Sequence, residues 1–259
     1  MLTQVEAEDA CASPISVYAV SSTVYTRILL KLSGEVLAGE HNTGLDGRML
    51  EYLAREVKSV SELGVQVAIV IGGGNFFRGV QGEHRGIPRA SGDLIGMLAT
   101  VMNSIALQET LESMGVSARV QTAIDMGPIA EPFVRKKALM YLHDGEVVIF
   151  GAGTGHPFFT TDTAASLRAI EIDADVILKA TKVDGIYSDD PIRNPAATRF
   201  EEISYFEVLQ RQLQVMDLTA ISLCMEHNMP IIVFNLKQSG NVKRIVAGEA
   251  IGTKVKGQG

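Results

Sequence analysis

Two lysines stand at the ends of apolar, strand-like runs: Lys31 in Arg27-Ile28-Leu29-Leu30-Lys31-Leu32 and Lys179 in Val176-Ile177-Leu178-Lys179. A lysine so placed either snorkels its ammonium to the sheet edge or neutralises a bound phosphate. Meeting the pattern twice strengthens the second reading for both. Three glycine-rich segments, at 33–47, 72–79 and 151–155, each directly follow a run of strand character. Glycine there lets backbone N–H groups approach phosphate oxygens without a Cβ in the way, and a helix N-terminus adds about half a positive charge. One such turn is explained by strand-to-helix sterics alone. Three of them, with two strand-end lysines and a loop arginine, describe an edge built to handle phosphate. By contrast Arg135-Lys136-Lys137 falls within a helical stretch and reads as a solvated face.

Other chemistries find no support. The P-loop pattern G-x-x-x-x-G-K-[ST] does not occur. Gly151-Ala152-Gly153 begins like a dinucleotide fingerprint, but His156 takes the place of its third glycine and Pro157-Phe158-Phe159 delays the helix that should receive a pyrophosphate. No G-x-S-x-G, H-E-x-x-H or Cys–His cluster appears, and the five histidines are scattered, so no metal ligands are assigned.

The elements that must carry these groups alternate between β-branched runs and helical periods, the pattern of a mainly parallel sheet covered by helices on both faces, a three-layer α/β sandwich. Strands are expected at 27–32, 65–71, 116–121, 146–150, 174–179 and 230–235. Helices are expected near 50–63, 92–114, 131–143, 162–172, 205–212, 217–227 and 241–247. The long helix near 92–114 is expected to turn Leu94, Met97, Leu98, Val101, Ile105 and Leu111 to the core. The stretch 183–197, rich in Asp and Asn with two prolines, reads as an irregular loop. Ligands of open α/β sheets bind beyond the carboxyl ends of the strands, so the three glycine segments should converge on one edge.

The 259 residues carry 23 basic and 30 acidic side chains, a net charge of −7. Three of the acids and none of the bases lie in residues 1–24, leaving −4 on the remainder. An acidic chain lacks the cationic field a nucleic-acid polymer requires, so any anion must be held locally. The two cysteines are far apart and suit a reducing, cytoplasmic setting. No uninterrupted apolar run approaches the ~20 residues that span a bilayer. Residues 1–24 are expected to form a flexible extension before a single domain at 25–259.

Four segments together resemble the bacterial uridylate (UMP) kinases of the amino acid kinase superfamily. They are Lys31-Leu32-Ser33-Gly34-Glu35, Gly72-Gly73-Gly74-Asn75-x-x-Arg78-Gly79, Thr154-Gly155-His156-Pro157-Phe158-Phe159-Thr160-Thr161-Asp162 and Lys182-Val183-Asp184-Gly185-Ile186-Tyr187-x-x-Asp190-Pro191. The third segment and Gly92-Asp93 point to UMP; the others are shared with carbamate, glutamate and aspartate kinases. The likeness is collinear from about Tyr25 to Val255. It implies reversible transfer of the ATP γ-phosphoryl group to UMP, giving UDP and ADP in pyrimidine nucleotide biosynthesis. Kinases of a carboxylate or carbamate, and a nucleotide-binding storage or sensor protein without turnover, are the alternatives.

The resemblance also implies roles. Lys31, Arg78 and Lys179 would neutralise phosphate charge, with Asp162 and Asp217 as organisers of the lysines. ATP would be held by Lys31, Leu32, Ser33, Gly34, Gly74, Arg78, Thr181, Tyr187 and Asp190, with Mg²⁺ bridging its phosphates. UMP would be held by Gly73, Asp93 and the run Thr154, Gly155, His156, Pro157, Phe158, Phe159, Thr160 and Thr161. His156 stands where the family usually has Asn. The acceptor would lie in an N-terminal lobe and ATP in a C-terminal lobe. A homohexamer, activation by GTP near Arg119 and inhibition by UTP are family expectations. An ordinary exposed strand arginine is the other reading of Arg119.

Overall fold

A computed structural model describes residues 23–77, 86–189, 191, 193–194 and 196–257. Residues 1–22 of the expected extension, Arg78 and Asp190 lie outside the described residues. In chain order the elements are β1 (Arg27–Leu32), α1 (Gly34–Leu37), α2 (Gly47–Ser61), β2 (Gln66–Ile71), α3 (Arg89–Ser113), β3 (Ala118–Thr122), β4 (Glu131–Pro132), α4 (Arg135–His143), β5 (Val147–Gly151), α5 (Thr161–Glu171), β6 (Val176–Thr181), β7 (Glu202–Ser204), α6 (Tyr205–Gln210), α7 (Leu218–Glu226), β8 (Ile231–Asn235), α8 (Asn241–Val246) and β9 (Thr253–Lys256).

The described strands form one sheet in the order β4-β3-β5-β2-β1-β6-β8-β9-β7, parallel throughout except where β9 runs against β8. Its central strands are apolar on both faces because helices cover both. Ile28, Leu30 and Leu32 of β1 face α2, α3 and α8, in a core with Leu53, Val57, Leu107 and Ile245. Leu29 faces the other layer, with Ala138 of α4, Ala165 of α5 and Ile221 of α7. The period-2 alternation of a strand therefore sends Lys31 toward the α5 side. β1 is also where the chain changes direction: β2, β5 and β3 lie on one side of it and β6 and β8 on the other.

Three expectations change. Glu131 does not open a helix: Glu131–Pro132 pairs with β3 as an edge strand, and the helix starts at Arg135, because a proline and Val134 hold the chain extended. Arg135-Lys136-Lys137 is thus a helix N-terminus, with Arg135 paired to Asp173 at 2.5 Å and Lys137 to Glu131 at 3.0 Å. In α3 the face is divided: Met97, Val101 and Leu111 are buried, whereas Leu94 and Leu98 are about half exposed, alongside Ile95 and Met102. By length and composition α3 alone among the described helices could cross a membrane. Its buried Thr100, Asn103 and Ser104 and its packing on α2, β3 and β5 make it a helix of the α/β core. The short elements α1, β7 and β9 carry too few periodic residues to be read from sequence.

Candidate active site

The central parallel pairing places Lys31 directly across from Lys179. Neighbouring strands are ~4.8 Å apart, so two side chains on the same face in the same register are forced close together. Like charges so near need a counter-charge, and α5 supplies it. Thr160 caps that helix, accepting the backbone N–H groups of Asp162 and Thr163, which brings Asp162 over the sheet at the helix's first turn. One carboxylate oxygen of Asp162 meets Lys31 Nζ at 2.6 Å and the other meets Lys179 Nζ at 2.8 Å.

All three groups are largely withdrawn from water. Burial works against ionised Asp162, but the two ammonium groups outweigh it and hold the carboxyl below the usual carboxylate range. Burial also lowers the Lys179 pKa; Asp162 opposes that fall and the Lys31 charge deepens it. With all three ionised the cluster carries one excess positive charge, aimed at the sheet edge.

Asp217 stands one layer behind. It caps α7, accepting the N–H of Ala220 at 3.0 Å, and receives the hydroxyls of Thr160 and of Thr163, the latter at 2.9 Å. These bonds tie the N-termini of α5 and α7 together, and the Asp217 charge acts on Lys179 in the direction that opposes its lowered pKa. Thr163 carries no signal in the sequence beyond being a polar residue three positions from the cap; its role becomes legible only once α7 is seen beside α5.

In front of the cluster opens a cleft of about 860 Å³. Its floor is formed by Lys31, Ser33 and Gly34 after β1 and Gly72, Gly73 and Gly74 after β2, and its walls by Asp93 and Gly96 of α3 and by Thr154, His156, Phe159, Thr160 and Thr161. The glycines are dictated by close approach. A Cβ on Gly34 would lie 2.3 Å from the Gly72 carbonyl oxygen, and one on Gly73 would lie 2.5 Å from that of Gly96. Leu32 has its side chain in the core and offers the edge only its backbone, whose carbonyl accepts Gly72 N–H at 2.9 Å.

The loop 154–159 is pinned from α3: Phe158 N–H donates to Asp93 at 2.8 Å, and Arg89 holds the same carboxylate at 2.9 and 3.0 Å. Gly155, at φ +81°, turns the loop where a Cβ would meet Ala123. Pro157 and Phe158 shape the loop but do not line the cleft, and Phe158 is exposed.

Other expected residues fall elsewhere. Thr181 borders a separate hollow of about 610 Å³ with Glu35, Tyr52 and Lys182, and its hydroxyl is bound to the carbonyls of Val183 and Phe234. Tyr187 donates its hydroxyl to Asp184 at 2.6 Å. Arg119 is remote from the cleft, paired to Glu146 at 2.6 Å in a hollow that also holds Glu112. Among the described residues no group of His, Cys, Asp and Glu is spaced to cage a metal ion. Asp162, clasped by two lysines, has the wrong surroundings for one.

Residues 26–235 match the model of the amino acid kinase family. The chain is similar to the UMP kinase of Bacillus anthracis, at 41% identity and TM-score 0.88 over 91% of this chain and 97% of that one. It is similar to the UMP kinase of Ureaplasma parvum, at 34% identity and TM-score 0.84 over 89% and 98% of the two chains. Against the uridylate kinase of Archaeoglobus fulgidus the figures are 29% and 0.69, over 88% and 99%.

Proposed function

The chain belongs to the amino acid kinase family, and we propose that within it this protein transfers the terminal phosphoryl group of ATP to UMP, giving ADP and UDP. The observation that carries this reading is the Asp162 carboxylate held between Lys31 and Lys179 at the head of a cleft whose far wall is the Asp93-tethered Thr154–Thr161 loop. The resemblance of the solved UMP kinases over nearly the whole chain favours it over a carboxylate kinase or a silent nucleotide binder.

The chemistry asks little of a base. A phosphate oxygen of UMP is already an anionic nucleophile; it forms the new bond to the γ-phosphorus as the bond to the β-phosphate oxygen breaks, and ADP leaves with that electron pair. Positioning and charge neutralisation then dominate. Lys31 faces the transferred group from the cleft floor and Lys179 the ATP side. At an effective dielectric near 20, an ammonium about 4 Å from a phosphate charge contributes roughly 4 kcal/mol before desolvation. The Gly34 and Gly72–Gly74 backbone adds dipoles that need no reorganisation. Asp93 and the Thr154–Thr161 run hold UMP; Ser33, Thr181 and Tyr187 belong to the ATP side. Mg²⁺, which sheds water reluctantly, would be held chiefly by the ATP phosphates, where it would supply further charge neutralisation.

A homohexamer is part of this reading, supported by the apolar residues that α3 leaves outside. So are a cytoplasmic setting, GTP as activator and UTP as inhibitor. An anion docking at Arg119 has to displace Glu146. The deciding experiment is ADP release with UMP, CMP, dCMP, glutamate or carbamate as acceptor. Turnover with UMP is expected; turnover only with glutamate or carbamate would replace the acceptor assignment.

A further inference from the structure

Asn75 and Asn103 are both buried, and their amides pair head to tail. Asn75 Nδ2 donates to Asn103 Oδ1 at 2.9 Å, and Asn103 Nδ2 donates to Asn75 Oδ1 at 2.7 Å. The second N–H of each amide is used too: that of Asn75 goes to the Gly44 carbonyl and that of Asn103 to the Gly72 carbonyl, both at 2.8 Å. Gly44 N–H returns a bond to the Asn75 carbonyl at 3.0 Å. A buried polar network with every donor satisfied selects one arrangement of the backbone around it.

The backbone it selects is that of the phosphate loops. The Gly72 oxygen that Asn103 holds is the atom 2.3 Å from where a Gly34 Cβ would be, and the Asn75 amide oxygen is 2.7 Å from the same point. The turns after β1 and β2 are therefore in mutual contact at the spot the amide pair fixes. Neither asparagine lines the cleft. Asn103 sits on the buried face of α3, four residues before Leu107, where an aliphatic side chain would be the ordinary choice.

We infer that Asn103 is a positioning residue for phosphoryl transfer. From α3 it sets the Gly72 carbonyl and, through Asn75, the Gly34 and Gly44 turns, so that lysines and backbone amides meet the phosphates in register. The inference rests on the cleft being the transfer site.

The test compares Asn103→Leu with Leu107→Ala, which creates a cavity in the apolar core on the same face of α3 and removes no hydrogen bond to either loop. Steady-state kcat, KM for each substrate and Tm are measured for both variants and the parent. A misplacement of order 1 Å can cost 10²-fold in rate, so Asn103→Leu is expected to lose about 10²-fold in kcat with KM values held within roughly threefold. Leu107→Ala is expected to lower Tm but keep kcat. Asn103→Leu within threefold of the parent in kcat, or an equal kcat loss in Leu107→Ala, overturns the inference. If the leucine variant does not fold, Asn103→Ser, whose hydroxyl stops short of both partners, replaces it under the same criteria. The parent separates the two failures: no ADP release with UMP removes the acceptor assignment, whereas an active parent beside an equally active variant removes only Asn103.

Discussion

The Asp93 carboxylate accepts the backbone N–H of Phe158 at 2.8 Å across 65 residues of chain. Phe158 is held at φ +72°, a conformation costing a bulky L-residue about 1–2 kcal/mol. The bond fastens the 154–159 loop to α3, so this wall of the cleft is set by a helix as well as by its own turn.

Asp93→Ala should therefore damage acceptor binding before it damages chemistry. A rise in KM for UMP of about tenfold or more is expected, the size of one lost charge-assisted hydrogen bond, with KM for ATP near that of the parent. A coupled ADP assay over both substrate ranges reads it. An ATP-selective effect instead would move Asp93 to the donor side.

Lys31→Ala addresses chemistry directly. Its ammonium matters most as charge redistributes in the transition state, so kcat is expected to fall on the order of 10³-fold with a modest change in UMP binding. A variant within tenfold of the parent would take Lys31 out of the catalytic set.

The Lys31–Asp162–Lys179 cluster fixes the pH response. The Asp162 pKa is depressed, so its stabilising contribution is fully present above the unfolded carboxylate value and is lost as pH falls through the lower folded value. Lys179 is depressed as well, so the folded chain sheds that proton before the unfolded chain does. Its ionisation opposes folding below its folded pKa, and the opposition fades as pH rises toward the ordinary lysine value of 10.5. The catalytic consequence is an alkaline limb in kcat/KM that begins below pH 10.5. Lys179→Arg, which stays charged, should shift that limb upward whatever its effect on rate. An unchanged limb would assign the ionisation elsewhere. Asp162→Asn leaves two facing lysines without their counter-charge and is expected to cost about 3 kcal/mol or more, read as a Tm lower by several degrees.

The strand-end lysines were legible because each interrupts an otherwise apolar run, and a sheet register turns two such interruptions into one site. The glycine segments were legible for the same reason: steric need at a strand end is local. Asp217 could be read as a cap but not as the acceptor of two threonine hydroxyls, since that depends on α7 lying beside α5. Asn103 left one trace, an amide on the face of α3 that also carries Leu107 and Leu111, and period alone does not say what it binds. The division of α3 was not legible either. Leu94 and Leu98 have the spacing of core residues, and only the sheet's position decides which of two apolar stripes it covers.

That second stripe carries the last prediction. Leu94, Leu98 and Met102 recur every fourth residue along α3 and are 46%, 49% and 50% exposed, with Ile95 beside them. Contiguous apolar surface of this kind on a single chain marks an association site, and a second copy of the same helix offers a matching apolar ridge. Leu98→Glu places a charge at the middle of the stripe, where burial against a partner leaves it unpaired. The fold should tolerate the change because the site is half exposed in the single chain. Light scattering coupled to size exclusion should therefore show the parent as a defined multiple of the 27.9 kDa chain and the variant as a smaller one, with the variant's far-ultraviolet circular dichroism unchanged. Equal masses for the two would mean that α3 is not the contact. Because the same helix carries Asp93 to the 154–159 loop and Asn103 to the glycine loops, a dissociated variant that also loses kcat would tie subunit association to the geometry of the cleft.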